Sequence, residues 1–430
     1  MNNGDRTAAQ YRAREMKRRQ IRKRLSAVMI VLAIILCILG AALALDLRQS
    51  PGDGFSAGGE PEGSTSQSEK KPAEQRADTG SNAPQTDKQT VHFLAVGDNL
   101  IHDDIYADAK ERGEGEYVFT SMYEGVAEQI AAADVAYVNQ EGPVAKSFSI
   151  SGYPSFNAPT AIADDLRQVG FNVINLANNH MTDQGAKGVA ETTQLFSALD
   201  GVTAIGGYTE EDFDNIRVVE KNGIKIAFLS YTTFTNANAN SVLSNGCVIP
   251  YPTEECIDRQ VALAKNVGDV VVVSMHWGAE NITQPNAEMT RWANYLASKN
   301  VDVVLGMHSH TLMPITWLDG EDGHKTLVTY SLGNFFGGML NVGNLVGGLF
   351  TFDIVKAQSG VSIENAQLTP TVIHYEGQYS ANADNRHSFG VHLMKNYTEQ
   401  MAQRHGVSVT LDSLKRQATQ VIDEAFLNLE

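Results

Sequence analysis

Short runs dominated by apolar and β-branched residues recur from residue 91 onward, separated by helix-length segments. Val91 to Val96, Val135 to Val138, Phe171 to Leu176, Val270 to Val273 and Val301 to Leu305 carry no polar alternation long enough to mark a water-facing side. Runs of this kind read as strands buried on both faces, the habit of parallel sheets in α/β proteins. Helices are predicted at 121–132, 160–168, 187–199, 255–266 and 286–298. The Asn222-Gly223 pair between Ile216–Val219 and Ile224–Tyr231 predicts a two-residue hairpin turn. Beyond 340 the pattern changes. Residues 348–355 and 367–375 alternate like antiparallel strands, and 410–428 has the period of an amphipathic helix. The expectation is a layered α/β domain with a mixed sheet or two packed sheets.

Each buried run stops at a side chain able to bind metal. The five ends are Gly97-Asp98, Asn139-Gln140-Glu141, Asn178-Asn179-His180, His276-Trp277-Gly278 and Gly306-Met307-His308-Ser309-His310. Open α/β sheets bind ligands at the carboxyl ends of their strands. The pattern therefore predicts Asp, Glu, Asn and His gathered at one edge of one sheet, a donor set for divalent ions. Taken singly, each end has a plainer reading: Gly-Asp as a turn, Asn178-Asn179 as a helix cap, His276 as a satisfied core histidine. The joint placement decides against those readings, because four of 11 histidines fall just past strand ends. His92, His324, His374, His387, His392 and His405 lack that placement and read as structural or exposed. The His308-x-His310 pair points both rings to one side if its backbone is extended.

Composition adds a topology. Residues 25–45 are apolar and uncharged, long enough at about 1.5 Å per residue to cross a hydrocarbon core of roughly 30 Å. Residues 1–24 hold nine basic and two acidic residues, which places that end in the cytoplasm and the rest outside. A cleaved leader usually has an apolar core of about 7–15 residues, so the length favours a retained anchor. Ala42-Leu43-Ala44-Leu45 is compatible with cleavage. Residues 46–90, rich in Gly, Ser, Pro and charge, read as a disordered linker. The net charge is −17. With the basic N-terminal segment set aside, the remainder is still more acidic, which argues against nucleic acid as a partner. An anionic substrate held through metal ions stays compatible. Cys247 and Cys256 either close a short disulfide or remain free thiols, and neither has metal-site spacing.

Six segments then match a known pattern in order: Val96-Gly97-Asp98, Asn139 to Pro143, Leu176 to Gly185, His276 to Glu280, Gly306 to His310 and Tyr330 to Phe335. Over about 91–340 the chain resembles the CapA-like poly-γ-glutamate capsule synthesis proteins, which look like a branch of the calcineurin-like metallophosphoesterase superfamily. The resemblance implies a four-layer α/β/β/α sandwich, here preceded by one N-terminal transmembrane helix, with 341–430 completing or extending the domain. It also implies a centre of one or two divalent ions (Mn, Zn or Fe). Asp98, Glu141, Asn179, His276, His308 and His310 would be ligands and His180 the catalytic acid, with Asp183 orienting its ring. Asn139, Asn178, Glu280, Ser331 and Asn334, polar residues within the same motifs, are candidate substrate contacts. Two positions depart from the superfamily pattern. Leu100 stands where a metal-binding His is usual, with His102 two residues beyond, and Glu141 stands where the bridging Asp is usual. The implied role is an anchored extracytoplasmic protein of capsule synthesis, working beside other capsule-synthesis subunits. It would be either a metal-dependent hydrolase or transferase acting on an envelope polymer or phosphoester, or a non-catalytic scaffold with a degenerate centre.

Overall fold

The computed structural model describes residues 88–237, 240–379 and 385–430. The apolar segment 25–45 and the basic segment before it lie outside the described residues, and no described helix is long and apolar enough to cross a membrane.

The described strands run in chain order as β1 Gln89–Leu100, β2 Val135–Glu141, β3 Val173–Asn175, β4 Thr203–Ile205, β5 Tyr208–Thr209, β6 Arg217–Lys221, β7 Ile224–Thr232 and β8 Cys247–Val248. They continue as β9 Val270–His276, β10 Val303–Met307, β11 Ile315–Asp319, β12 Lys325–Thr329, β13 Asn334–Gly337, β14 Val346–Ala357, β15 Gly360–Glu376 and β16 His387–Leu393. The result is a mixed α/β fold built on two large sheets. One has the order β16-β15-β14-β1-β2-β3-β4, with β13 also paired to β1; the other has the order β11-β12-β10-β9-β7-β6. This corrects the expectation that all the metal-competent strand ends share one sheet. β1, β2 and β3 belong to the first sheet, β9 and β10 to the second. Apolar runs buried on both faces report burial, not sheet membership, so the pattern was silent on that division.

Side-chain alternation along the second sheet shows how it is buried. Ile226, Phe228, Val270, Val272, Val303 and Leu305 pack into the core shared with the first sheet. Their neighbours Ala227, Leu229, Val271, Val273 and Val304 pack instead with Ile257, Val261, Met289, Trp292 and Leu296. Those five lie on the helices Glu254–Val267 and Ala287–Ser298. Both helices begin at a side-chain cap, Thr253 accepting from Cys256 N and Asn286 from Met289 N, which satisfies one otherwise unpaired N–H of the first turn. Between the sheets, Phe93 meets Phe228 at 6.2 Å. Nearer the strand ends the seam turns polar. Tyr137 on β2 hydrogen-bonds Ser274 on β9 at 2.6 Å, and Ser230 on β7 donates to Asn175 on β3.

The Asn222-Gly223 hairpin forms as expected, with both residues at positive φ (50° and 74°), the type I′ requirement. β14 and β15 pair antiparallel, as the alternation beyond 340 predicted. Helices cover Ala161–Val169 and Gly185–Ser197, close to the expected bounds. The predicted helix 121–132 is instead a 3₁₀ turn at Thr120–Tyr123 and a short helix at Ala127–Ala131. Gly125 sits between them against Val391, whose carbonyl oxygen a Cβ would meet at 2.3 Å. The C-terminal helix stops at Thr419. A helix at Asp103–Arg112 was not anticipated. It is strongly polar and presents only Ile105 and Ala109 as buried apolar residues, too few for a periodic signal. Cys247 and Cys256 are free thiols.

Candidate metal centre

The polar seam between the sheets opens into the site. Asp98, Glu141 and Asn179 arrive from the first sheet and the loop after β3. His276, His308 and His310 arrive from the ends of β9 and β10. All six are almost wholly buried. Glu141, His308 and His310 each offer a ligand atom within 4.8 Å of the others. His276 Nε2 and His310 Nε2 each stand 3.8 Å from Glu141 Oε1, and Asn179 Oδ1 lies 2.9 Å from His276 Nε2.

His308 and His310 do not sit on extended backbone, which corrects the sequence expectation. Both have positive φ, 94° and 56°, a region that costs a non-glycine residue of order 1–3 kcal/mol. The tight turn still brings the rings together, with centroids 6.0 Å apart.

The electrostatics call for a cation. Burial pushes Glu141 well above the usual carboxylate range; His310 opposes the shift and Asp98 and Glu280 add to it. Burial and neighbouring imidazoles hold His276 well below its ordinary value. Burial and His310 bring His308 down to about 3. Neutral imidazole is the form that binds metal. Burial disfavours charge on His310 as well, but Glu141 and Asp98 outweigh it and lift its pKa to about 10. Both oxygens of Glu141, together with His308 Nδ1 and His276 Nδ1, are buried without a hydrogen-bond partner. A buried carboxylate and imidazoles left unsatisfied cost several kcal/mol unless something charged completes them. The donor set of two carboxylates, one amide and three imidazoles fits a divalent ion of the Zn, Mn or Fe type, whose charge would take the place of the proton on His310.

Beside this centre, His180 Nδ1 lies 2.7 Å from Asp183 Oδ2, and Asp183 is itself held by the Phe156 N–H at 2.9 Å. The carboxylate fixes the proton on Nδ1 and leaves Nε2 facing the Asn236 amide. His180 is 6 % exposed.

Four of the five expected substrate contacts make hydrogen bonds within the protein. Asn139 donates to Asp98 Oδ1 at 2.7 Å and accepts from Asn175. Asn178 binds the backbone of Gln140, Leu176 and Gly142. Asn334 braces His310 Nδ1 at 2.9 Å and donates to the Asn344 carbonyl. Ser331 accepts from the Gly333 N–H. All four are buried, and each supports backbone or a candidate ligand. Glu280 is exposed beyond the turn after β9, near enough to raise the pKa of both Glu141 and His310.

Other residues border the site without a sequence signal. Phe156 stands edge-on to His180 at 4.7 Å and to His102 at 5.2 Å. Phe234 stands edge-on to His308 at 5.1 Å, and the Asn236 amide lies 3.4 Å from His180 Nε2. All three sit in connections, where no period marks function. Leu100 is buried and paired with Glu141 and Gly337. His102 Nδ1 lies 3.0 Å from the Leu100 carbonyl and 3.1 Å from the Gly338 N, so that nitrogen serves the backbone.

Comparisons with known proteins agree with the motif pattern. The chain is 33 % identical over 176 residues to the capsule biosynthesis protein CapA of Bacillus anthracis, covering 40 % of this chain and 41 % of that one. It is 32 % identical over 171 residues to the PGA biosynthesis protein CapA of Bacillus subtilis, covering 40 % and 43 %. The matches thus span less than half the length of either relative. Among solved structures, a phosphatase of Mycoplasma pneumoniae aligns with a TM-score of 0.39 at 14 % identity, over 66 % of this chain and 94 % of that one. A putative 5′-nucleotidase of Staphylococcus aureus aligns at 0.41 and 14 %, over 65 % and 54 %. Neither likeness is close enough to assign an activity. The model of the bacterial capsule synthesis protein family PGA_cap matches residues 92–339, more than half of the chain, and the chain belongs to that family.

Proposed function

We propose that this protein works in capsule-type polymer synthesis as a metal-dependent hydrolase or transferase of the metallophosphoesterase type, acting on an envelope polymer or a phosphoester. The observation that carries the reading is the buried, unsatisfied set of Glu141 and His308 beside a second, metal-independent pair, His180 and Asp183. The two packed sheets, with helices over the outer face of the second, fit the α/β/β/α sandwich of that superfamily. Asp98, Glu141, Asn179, His276, His308 and His310 would hold one or two divalent ions, which when bound would supply Lewis acidity and an activated water. In its doubly protonated form His180, with Nδ1–H held by Asp183, would present Nε2–H to donate that proton to a leaving oxygen. Phe156 and Phe234 wall the site with apolar edges and limit water.

The test uses full-length protein purified without chelator. Stoichiometric metal and hydrolysis of a chromogenic phosphodiester, abolished by chelator and restored by Mn²⁺, are expected. Traces of metal only would sink the reading. A second reading, a scaffold or export subunit with a degenerate centre, draws on Leu100, which is buried where the resemblance expects a ligand. Full metal occupancy with polymer output unchanged by His180→Ala would favour it.

The proposal extends to location. Residues 25–45 anchor the chain in the cell membrane with residues 1–24 in the cytoplasm, and the domain stands outside on the 46–90 linker, within reach of other capsule-synthesis subunits. Protease added to intact, wall-stripped cells should cut within 46–90 and release a soluble fragment. Protection of that linker while the membrane is intact, and cleavage once it is permeabilised, would reverse the orientation.

A further inference from the structure

The connections that leave the carboxyl ends of β1, β2, β3, β7, β9, β10, β12 and β13 surround the centre, and they carry no arginine and a single lysine, Lys146. Lys146 lines a separate groove with Asp164, Glu191 and Leu195, against the helices Ala161–Val169 and Gly185–Ser197. Arg386 is close enough to depress the pKa of His102. It is itself buried, ion-paired with Asp104 at 2.7 Å and donating to the Gly338 carbonyl, so its charge is neutralised in place. A site that takes a chain of carboxylates or phosphates lines its approach with Lys and Arg, because fixed positive charge replaces the water such anions give up. This edge adds the carboxylates of Asp183 and Glu280 instead. Bound metal would supply enough positive charge for one anionic group, and the connections offer nothing to a second.

In place of cations the edge presents a ring and amides. Tyr153 is 75 % exposed, and its ring stands 6.4 Å from Phe156, the neighbour of His180. Asn236, also exposed, brings its amide to the same histidine. Beside His308 and His310, the Asn281 N–H donates to the Ser309 carbonyl at 2.8 Å, and the Asn281 side chain accepts from Asn341 at 3.4 Å. Both of these asparagines are exposed. An amide carries donor and acceptor together, which matches a hydroxyl and not a carboxylate. A tyrosine ring covers a flat apolar face with few rotatable bonds to fix. We propose that the substrate gives one anionic group to the metal centre and carries beside it an uncharged, hydroxyl-bearing ring, a sugar, which lies against Tyr153 and bonds to the amides of Asn236 and Asn341. The inference rests on the phosphoester reading above and names its substrate class: a sugar phosphoester, not a polycarboxylate chain.

Isothermal titration of full-length, Mn²⁺-loaded protein with inorganic phosphate, glucose 1-phosphate and 3-phosphoglycerate tests this. The three probes share a phosphate and differ in what flanks it. Glucose 1-phosphate should bind at least as tightly as inorganic phosphate and about tenfold tighter than 3-phosphoglycerate, whose carboxylate meets no cation. Tyr153→Ala should weaken glucose 1-phosphate by about five- to tenfold, the low end of what stacking on an aromatic side chain contributes, and leave inorganic phosphate within about twofold. A preference for glucose 1-phosphate over 3-phosphoglycerate below about threefold, or the reverse preference, overturns the inference and leaves the metal centre standing. So does a Tyr153→Ala chain that binds glucose 1-phosphate like the parent. If that variant does not fold, Asn341→Ala takes its place with the same expected loss of selectivity. No binding of inorganic phosphate to the metal-loaded protein removes the phosphoester reading itself, and this inference with it.

Discussion

Replacing His180 by alanine should leave metal content and melting temperature near those of the parent protein and lower turnover by about 10²–10⁴, the usual size of a lost acid–base contribution. The geometry separates this residue from the centre. His180 Nδ1 is committed to Asp183, and Asp183 is locked by the Phe156 N–H. Neither His180 nor Asp183 belongs to the group whose ligand atoms converge on Glu141. His308→Ala should behave differently. Its Nδ1 is one of the buried atoms that no protein group satisfies. Without it the chain should bind less metal, and thermal stability should fall with it, because an ion bound only to the native state stabilises that state by mass action. Elemental analysis and thermal melting of the two variants, side by side, decide. Equal loss of metal from both would show that the division of roles is wrong.

Much of this site was legible in the sequence because strand ends are marked twice, once by the end of an apolar run and once by the polar residue that follows. Asp98, Glu141, His276, His308 and His310 were found that way. The signal said nothing of which sheet each strand joins, since a strand buried on both faces looks the same in either sheet. It was also silent on direction. Asn139, Asn178, Ser331 and Asn334 stand in the right segments, and there their amides and hydroxyl bond backbone and candidate ligands. Only tertiary contacts separate a polar residue that faces a ligand from one that supports it. Phe156, Phe234 and Asn236 sit in irregular connections, where composition carries no position. The positive φ of His308 and His310 was equally invisible, because no residue there is glycine to announce it.

Gly97→Ala should cost about 3 kcal/mol or more, at or above the upper end of ordinary overpacking, and should weaken metal binding at the same time. At this position β1 changes partners. Up to Ala95 it pairs antiparallel with β14, and from Asp98 it pairs parallel with β13. The register against β2 also shifts between Ala95 and Asp98. The crossover brings two backbones so close that a Cβ on Gly97 would lie 1.8 Å from the Gly333 carbonyl oxygen and 2.9 Å from its carbon. That oxygen already accepts the Asp98 N–H at 3.1 Å, and the obstacle is backbone, so no rotamer change relieves it. Separating the strands would pull Asp98 from Asn334, its register partner. These are the two residues that flank His310 Nδ1, so the damage should reach the ligand. Gly337, three residues along the same pairing, is the control. A Cβ there meets nothing closer than 3.7 Å, ordinary contact, so Gly337→Ala should melt within about 0.5 kcal/mol of the parent. Chemical denaturation of both variants, with and without metal, measures the difference. A Gly97→Ala protein as stable as Gly337→Ala would mean that the strands can part at little cost, and that their closeness is not what holds Asp98 and Asn334 against His310.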